Sequence, residues 1–133
     1  MDNRLFFSAT QRNRDSIGDV LSRIIKKGSI LEIGSGSGEH GVFFQKCFPE
    51  IIWQTSDPDL YHRKSIFSWI EYEELNKKMP KPLELDVLNI PWKIRLKLAN
   101  SLKGIVSINM IHVAHWSCTI ALFKEAGKLL KTG

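Results

Sequence analysis

The feature that most constrains the fold is a loop in which glycine and serine alternate, Gly34-Ser35-Gly36-Ser37-Gly38. A short apolar run at residues 30–33 precedes the loop and predicts a buried strand. A helical pattern at 39–48 follows, and a second apolar run at 51–53 leads into the acidic turn Ser56-Asp57-Pro58-Asp59. The order strand, glycine loop, helix, strand predicts one βαβ unit.

The chemistry of this unit favours a nucleotide-like ligand. Glycines allow a loop to reach positive φ and to bring its backbone close to a ligand. The loop opens a helix whose first N–H groups lack intrahelical partners and carry partial positive charge. Asp57 follows the second predicted strand, about 20 residues beyond the loop, which is the spacing of an acid that accepts hydrogen bonds from a ribose.

Two cofactor fingerprints overlap in the loop. Residues 36–41 fit the G-x-G-x-x-G pattern of NAD-type dinucleotide-binding proteins, and residues 32–38 fit the acid-x-G-x-G-x-G pattern of S-adenosylmethionine-dependent methyltransferases. The methyltransferase pattern is favoured, because a dinucleotide loop that starts at Gly34 would have Glu39 in place of its third glycine. A carboxylate at Glu32 also suits an ammonium group and repels a pyrophosphate.

Composition limits the class of protein. The chain has 133 residues, of which 43% are hydrophobic and 25% charged, as expected of one globular domain. No apolar run approaches the ~20 residues of a membrane span, and no secretory signal is present, so a cytoplasmic protein is expected. The net charge of +5 comes from dispersed basic residues, which argues against a nucleic-acid partner. Cys47 and Cys118 are predicted to be reduced and buried.

Further helical patterns flank the predicted strands. The first runs from Asp15 towards Gly28, a glycine in the position of a C-terminal cap. The others cover residues 61–79 and 116–131. The side chains predicted to face the core are Ile17, Val20, Leu21, Ile24, Ile25, Ile66, Trp69, Ile70, Leu75, Ile120, Leu122, Phe123, Ala126, Leu129 and Leu130.

A polar cluster, Arg12-Asn13-Arg14, lies just before the first predicted helix. One interpretation is a solvated turn. The other is a lid, in which a guanidinium group pairs with a carboxylate of the cofactor or substrate. The sequence leaves both open.

Two more predicted strands complete an α/β fold. Residues 83–87 form a short strand, and residues 104–109 are nearly continuous in apolar residues, as a buried parallel strand should be. The intervening segment, 91–103, is expected to be an irregular or partly helical crossover. The alternation predicts a parallel sheet of order 3-2-1-4, whose ligand site lies at the carboxyl ends of the strands, beside the reversal between strands 1 and 4.

The candidate cofactor residues follow the predicted strands at that edge. Glu32 is assigned to the ligand's amino group, Asp57 to its ribose and Asp86 to its adenine, although Asp86 equally fits a turn-capping role. Asn109 and His112 are the candidates for catalysis. His112 could act as a general base, although a lone histidine at the end of a strand is more often structural. The complete predicted cofactor set is Glu32, Gly34, Ser35, Gly36, Gly38, Asp57, Asp86, Val87 and Asn109.

Motifs along most of the chain carry a resemblance to a known family. They lie at residues 9–15, 31–40, 53–59, 85–87 and 107–112, and the most distinctive read Trp-Gln-Thr-Ser-Asp-Pro-Asp and Ser-Ile-Asn-Met-Ile-His. By these motifs the chain resembles uncharacterised class I methyltransferase-like proteins (domain of unknown function 938, methyltransferase-like 26 type). The resemblance implies a Rossmann-like class I methyltransferase fold, an S-adenosyl-L-methionine site, and a small-molecule or other methyl acceptor of unknown identity.

The resemblance also predicts an incomplete domain. Members of that family continue past the last helix into strands 5–7, so the expectation is a single truncated domain, with an N-terminal lid and helix at 1–28 and a Rossmann-like core at 29–133. Truncation puts enzymatic activity in doubt. It also leaves the fourth strand as an exposed apolar edge, which predicts a homodimer through that edge.

A metal site is the alternative of a different class. His112, His115 and Cys118 have metal-ligand chemistry at helical spacing, and His40 would complete the set. The core face of the last helix already explains Cys118, so no metal is predicted. A non-catalytic module that binds S-adenosylmethionine is a further alternative.

Overall fold

The computed structural model describes residues 2–108 and 116–130, with the backbone alone for residues 9–13. A three-stranded parallel sheet has the order β2-β1-β3, with strands β1 (Gly28–Glu32), β2 (Ile51–Gln54) and β3 (Leu102–Val106). The helices are α1 (Ser8–Ile24), α2 (Glu39–Cys47), α3 (Leu60–Tyr72), α4 (Leu96–Ser101) and α5 (Trp116–Leu129). Within the described ranges, no helix is both long and apolar enough to span a bilayer.

The predicted sheet order 3-2-1-4 is confirmed: predicted strand 4 is the observed β3, and predicted strand 3 is reduced to a bridge. The segment predicted as a strand at 83–87 pairs alongside β2 only through the parallel bridge between Ser56 and Leu83. The ladder does not extend towards the start of this segment, where the Lys81 carbonyl accepts a hydrogen bond from the Gln54 side chain at 2.7 Å. It does not extend past Asp86 because the chain turns there, and the side chain and carbonyl of Asp86 accept hydrogen bonds from the following backbone. The strand prediction for this segment is therefore wrong, although its place in the order is right.

The central strand β1 is covered on both faces. Ile30 lies opposite Trp53 of β2 and Gly104 of β3 in the parallel register. Ile30 and the next residue, Leu31, are fully buried and point to opposite faces, so each belongs to a separate apolar cluster. Burial of each side chain contributes about 2–3 kcal/mol, which explains why this strand is apolar without alternation.

Helix boundaries depart from the sequence pattern at several places. The polar cluster at 12–14 lies inside α1 and not before it, since that helix begins at Ser8. Gly28 does not cap α1 but begins β1, with φ of 103°, where an added Cβ would lie 2.3 Å from Lys103 Cγ. The helix predicted at 61–79 ends at Tyr72, because the backbone reaches positive φ at Glu74.

Some side chains predicted to be buried are exposed: Val20, Ile24, Cys47, Ile120 and Phe123. They belong to helices at the margin of a narrow sheet, where only one stripe of each helix meets the core. Leu21 on α1 and Leu122 on α5 lie on those stripes and are buried as predicted. The width of the covered face depends on the neighbouring elements, which the helical pattern alone does not specify.

Candidate functional site

The glycine loop turns between β1 and α2 at the carboxyl edge of the sheet. Its glycines have φ values of 64°, 61° and 95°, the left-handed region that favours glycine. An added Cβ on Gly38 would lie 2.8 Å from Ile66 Cα, so α3 packs directly against the loop backbone. Ser35 N–H donates to the Ser56 carbonyl at 2.8 Å, and Ser56 N–H donates to Ser35 Oγ at 3.0 Å. These bonds fix the loop to the chain that follows β2.

Asp57 connects the loop to the end of β2. Its Oδ2 accepts a hydrogen bond from Gly36 N–H at 2.9 Å. Its Oδ1 accepts from Asp59 N–H at 2.9 Å and lies 3.1 Å from His62 Nδ1. A carboxylate offers about four acceptor positions, so this buried group retains capacity for a ligand hydroxyl.

Glu32 ends β1 and is buried beneath the loop. Trp53 Nε1 donates a hydrogen bond to Glu32 Oε1 at 3.0 Å. Burial raises the pKa of Glu32 to about 7; the hydrogen bonds from Trp53 and Ser35 oppose that shift, and the charge of Asp57 adds to it. Near neutral pH this carboxyl is therefore poised between its two forms, and a neighbouring cation would favour the ionised one.

These groups open onto a single space of about 490 Å³, here called the loop cavity, within the usual size of a small-molecule site. Its carboxylates and the absence of lysine or arginine from its described lining favour a ligand without phosphate groups. The loop cavity is lined by Phe7, Glu32, Ile33, Gly34, Ser35, Gly36, Ser37, His40, Asp57, Pro58, Asp59, His62, Leu85, Asp86, Val87, Ile108 and Cys118.

Most of the predicted cofactor residues line the loop cavity: Glu32, Gly34, Ser35, Gly36, Asp57, Asp86 and Val87. Gly38 lies at the base of the loop as the N-cap of α2. Asp86 also has the turn role, because its Oδ1 accepts from Leu88 N–H at 3.0 Å. Asn109 and His112 fall outside the described residues.

The predicted lid residues lie within α1. The side chains of Arg12 and Asn13 are outside the described part of the chain. The Arg14 guanidinium lies 4.7 Å from the ring centroid of Phe43 and lines a second cavity between α1, α2 and α3.

A different segment reaches the loop cavity through one residue, Phe7: residues 2–7, here called the N-terminal strap. Leu5 N–H donates to Ser65 Oγ at 2.8 Å, and Phe7 N–H donates to Glu39 Oε1 at 2.6 Å. The Phe7 ring packs so closely on the loop that an added Cβ on Gly36 would lie 3.2 Å from it. Phe7 thus forms one wall of the cavity. The only sequence signal for it is the apolar patch 5–7 ahead of the polar cluster.

His40 is a second residue whose place the sequence did not predict, since the sequence pattern suggests it only as a metal ligand. It lies in the first turn of α2, is 5% exposed and lines the loop cavity. Neither of its ring nitrogens has a hydrogen-bond partner among the described residues. Burial lowers the pKa of His40, so the imidazole is kept neutral.

Half of the metal-ligand set considered above lies outside the described part of the chain. Across residues 2–108 and 116–130, no three His, Cys, Asp or Glu side chains come together as a set of metal ligands. His112 and His115, which the metal alternative requires, lie between those ranges.

Comparison with known proteins identifies a family. Residues 4–133 match the sequence profile of the family described as "Protein of unknown function (DUF938)". The match includes every residue that lines the loop cavity.

Solved structures share the fold at low sequence identity. A putative S-adenosyl-L-methionine-dependent methyltransferase from Methanococcus maripaludis is 19% identical with a TM-score of 0.70, and the match covers 94% of this chain and 56% of that protein. A putative sarcosine dimethylglycine methyltransferase from Galdieria sulphuraria is 16% identical with a TM-score of 0.69, covering 98% and 50%. The methyltransferase SibL is 10% identical with a TM-score of 0.76, covering 93% and 34%. The chain therefore has the class I methyltransferase fold and spans about half the length of the first of these proteins.

Proposed function

The chain belongs to the DUF938 family of proteins of unknown function, and we propose that it binds S-adenosylmethionine and transfers its methyl group to an acceptor not yet identified. One observation carries the proposal. The glycine loop, Glu32 and Asp57 meet around one cavity of about 490 Å³. The finer assignment to the methyltransferase-like 26 type rests on the resemblance carried by the motif at 53–59, in which Trp53 donates to Glu32 and Asp57 lines the cavity.

The lining fits each part of an S-adenosyl ligand. Glu32 would accept from its ammonium group, Asp57 from its ribose hydroxyls, and Asp86 from the amine of its adenine, which would pack against Leu85 and Val87. Bound S-adenosylmethionine supplies an electrophilic methyl group on a sulfonium. The protein's contribution is to hold donor and acceptor in line and to exclude water. Asn109 and His112 are proposed for the acceptor side.

An NAD-type dinucleotide fits the same cavity less well. A pyrophosphate needs donors or cations around it, whereas the described lining has the carboxylates of Glu32, Asp57, Asp59 and Asp86 and no lysine or arginine. A non-catalytic module that only binds S-adenosylmethionine would share this site and differ in lacking methyl transfer.

Replacement of Asp57 tests the proposal at one side chain. Asp57→Asn keeps the size of the side chain and an oxygen for Gly36 N–H, but removes the charge that strengthens hydrogen bonds from ribose hydroxyls. It also turns an NH2 group towards Asp59 N–H, from which Oδ1 accepts in the wild type. We expect the dissociation constant for S-adenosylhomocysteine, measured by equilibrium dialysis, to rise at least about tenfold, equivalent to about 1.4 kcal/mol.

Asp19→Asn is the matched control. Asp19 lies on the exposed face of α1 and pairs only with Arg23 among the described residues, so its replacement should leave the dissociation constant unchanged. Equal affinities in wild type and Asp57→Asn would contradict the assignment of the ribose to Asp57.

A further inference from the structure

His40 is an exception to the rule that buried polar side chains have hydrogen-bond partners. Its ring stacks on Phe44, with centroids 5.5 Å apart and planes 6° apart, so apolar packing sets its orientation. Both ring nitrogens lack partners among the described residues, and the side chain is 5% exposed. Because the residue lines the loop cavity, the partner it lacks would come from a molecule inside that cavity.

The groups around His40 identify the end of the cavity to which it belongs. The adjacent carboxylate, Glu39, is already engaged, since its Oε1 accepts from Phe7 N–H and Ser37 Oγ–H. The next residue, Gly41, approaches Glu32 so closely that an added Cβ would lie 3.3 Å from Glu32 Oε1. His40 is therefore at the Glu32 end, beside β1.

The sheet order separates that end from the rest of the lining. Glu32 ends the central strand β1, Asp57 follows β2, and Asp86 follows the bridge on the outer side of β2. A ligand whose ribose lies at Asp57 and whose adenine lies at Asp86 therefore extends its remaining part towards Glu32 and His40. In an S-adenosyl ligand, that part is an amino acid.

We infer that His40 donates a hydrogen bond to the carboxylate of this amino-acid group, while Glu32 accepts from its ammonium. The inference rests on the proposed function. An amino-acid zwitterion needs both an acceptor and a donor, and the described lining supplies no lysine or arginine for its carboxylate. A neutral imidazole has one N–H, and the ligand selects which nitrogen carries it. The partial positive charge at the start of α2 adds to the attraction.

The test compares two ligands that differ in the amino-acid group. S-adenosylhomocysteine has it, and 5′-methylthioadenosine lacks it. His40→Phe keeps the ring that stacks on Phe44 and removes both nitrogens. By calorimetric titration we expect His40→Phe to raise the dissociation constant for S-adenosylhomocysteine at least about tenfold, as for loss of a hydrogen bond to a charged group. The dissociation constant for 5′-methylthioadenosine should rise less than about twofold.

Two further variants separate recognition from damage to the fold. His62→Phe makes the same change on the Asp57 side and should weaken both ligands by the same factor. His40→Gln keeps a donor and should restore part of the preference for S-adenosylhomocysteine. If His40→Phe lowers the melting temperature, the comparison of the two ligands is made with His40→Gln.

The outcomes are distinct. Equal weakening of both ligands by His40→Phe, or unchanged affinity for S-adenosylhomocysteine, would overturn the role of His40 and leave the proposed function standing. Failure of wild-type protein to bind either ligand would overturn both.

Discussion

Replacing Gly38 with alanine is expected to destabilise the fold by about 3 kcal/mol. A non-glycine residue pays about 1–2 kcal/mol for the left-handed φ of 95° at this position. The new Cβ would also lie 2.8 Å from Ile66 Cα and 2.9 Å from Ile66 Cγ1, and displacing helix backbone adds a cost of about 1–3 kcal/mol. Urea unfolding of purified Gly38→Ala should show a lower midpoint with an unchanged m-value.

Gly127→Ala is the matched control. Gly127 lies in α5, and an added Cβ there would have no atom within 4 Å among the described residues. Alanine favours a helix over glycine, so this variant should be more stable than wild type by up to about 1 kcal/mol. A Gly38→Ala variant as stable as wild type would show that the loop does not have the left-handed, closely packed conformation.

Glu32→Gln is expected to remove a pH dependence of stability. Because the pKa of Glu32 is raised from 4.5 to about 7, the folded state binds this proton more tightly than the unfolded state does. The carboxyl of Glu32 thereby contributes about 3 kcal/mol to the free energy of unfolding. This contribution is fully present below about pH 4.5 and is lost as pH rises towards 7. The amide oxygen that this substitution introduces would still accept from Trp53 Nε1, so the variant isolates the titration.

The same carboxyl should give ligand affinity a pH dependence of the opposite sign to that of stability. An ammonium group beside Glu32 requires the ionised form, so wild-type affinity for S-adenosylhomocysteine should increase with pH by up to about tenfold per unit below pH 7 and level off above it. Other groups titrate in both proteins, and the difference between wild type and Glu32→Gln isolates this one. Identical pH profiles in the two proteins would contradict the assignment of the ammonium to Glu32.

The βαβ unit could be predicted from sequence because its determinants are local. Positive φ at the loop glycines and apolar burial at residues 30–33 follow from residue types within a few positions of each other. The order of the sheet followed from the alternation of strands and helices. The carboxylates of Glu32, Asp57 and Asp86 were predicted at one cavity because each ends or follows a strand or bridge at the same edge of the sheet.

Features that depend on distant contacts could not be predicted in the same way. Phe7 reaches the cavity because Glu39 and Ser65 anchor the N-terminal strap, and nothing near Phe7 in the sequence specifies those partners. His40 is informative only because its nitrogens lack partners among the described residues, a property of its surroundings. Residues 83–87 have a strand pattern, but the Gln54 side chain bonds the Lys81 carbonyl and the chain turns at Asp86, so their pairing is limited to a bridge.

The most direct test of the proposed cofactor is calorimetric titration of the wild-type protein with S-adenosylhomocysteine and, separately, with NAD. We expect saturable binding of S-adenosylhomocysteine at one site per chain, and no measurable heat of binding with NAD. Saturable binding of NAD without binding of S-adenosylhomocysteine would contradict the assignment and favour the dinucleotide pattern of the loop.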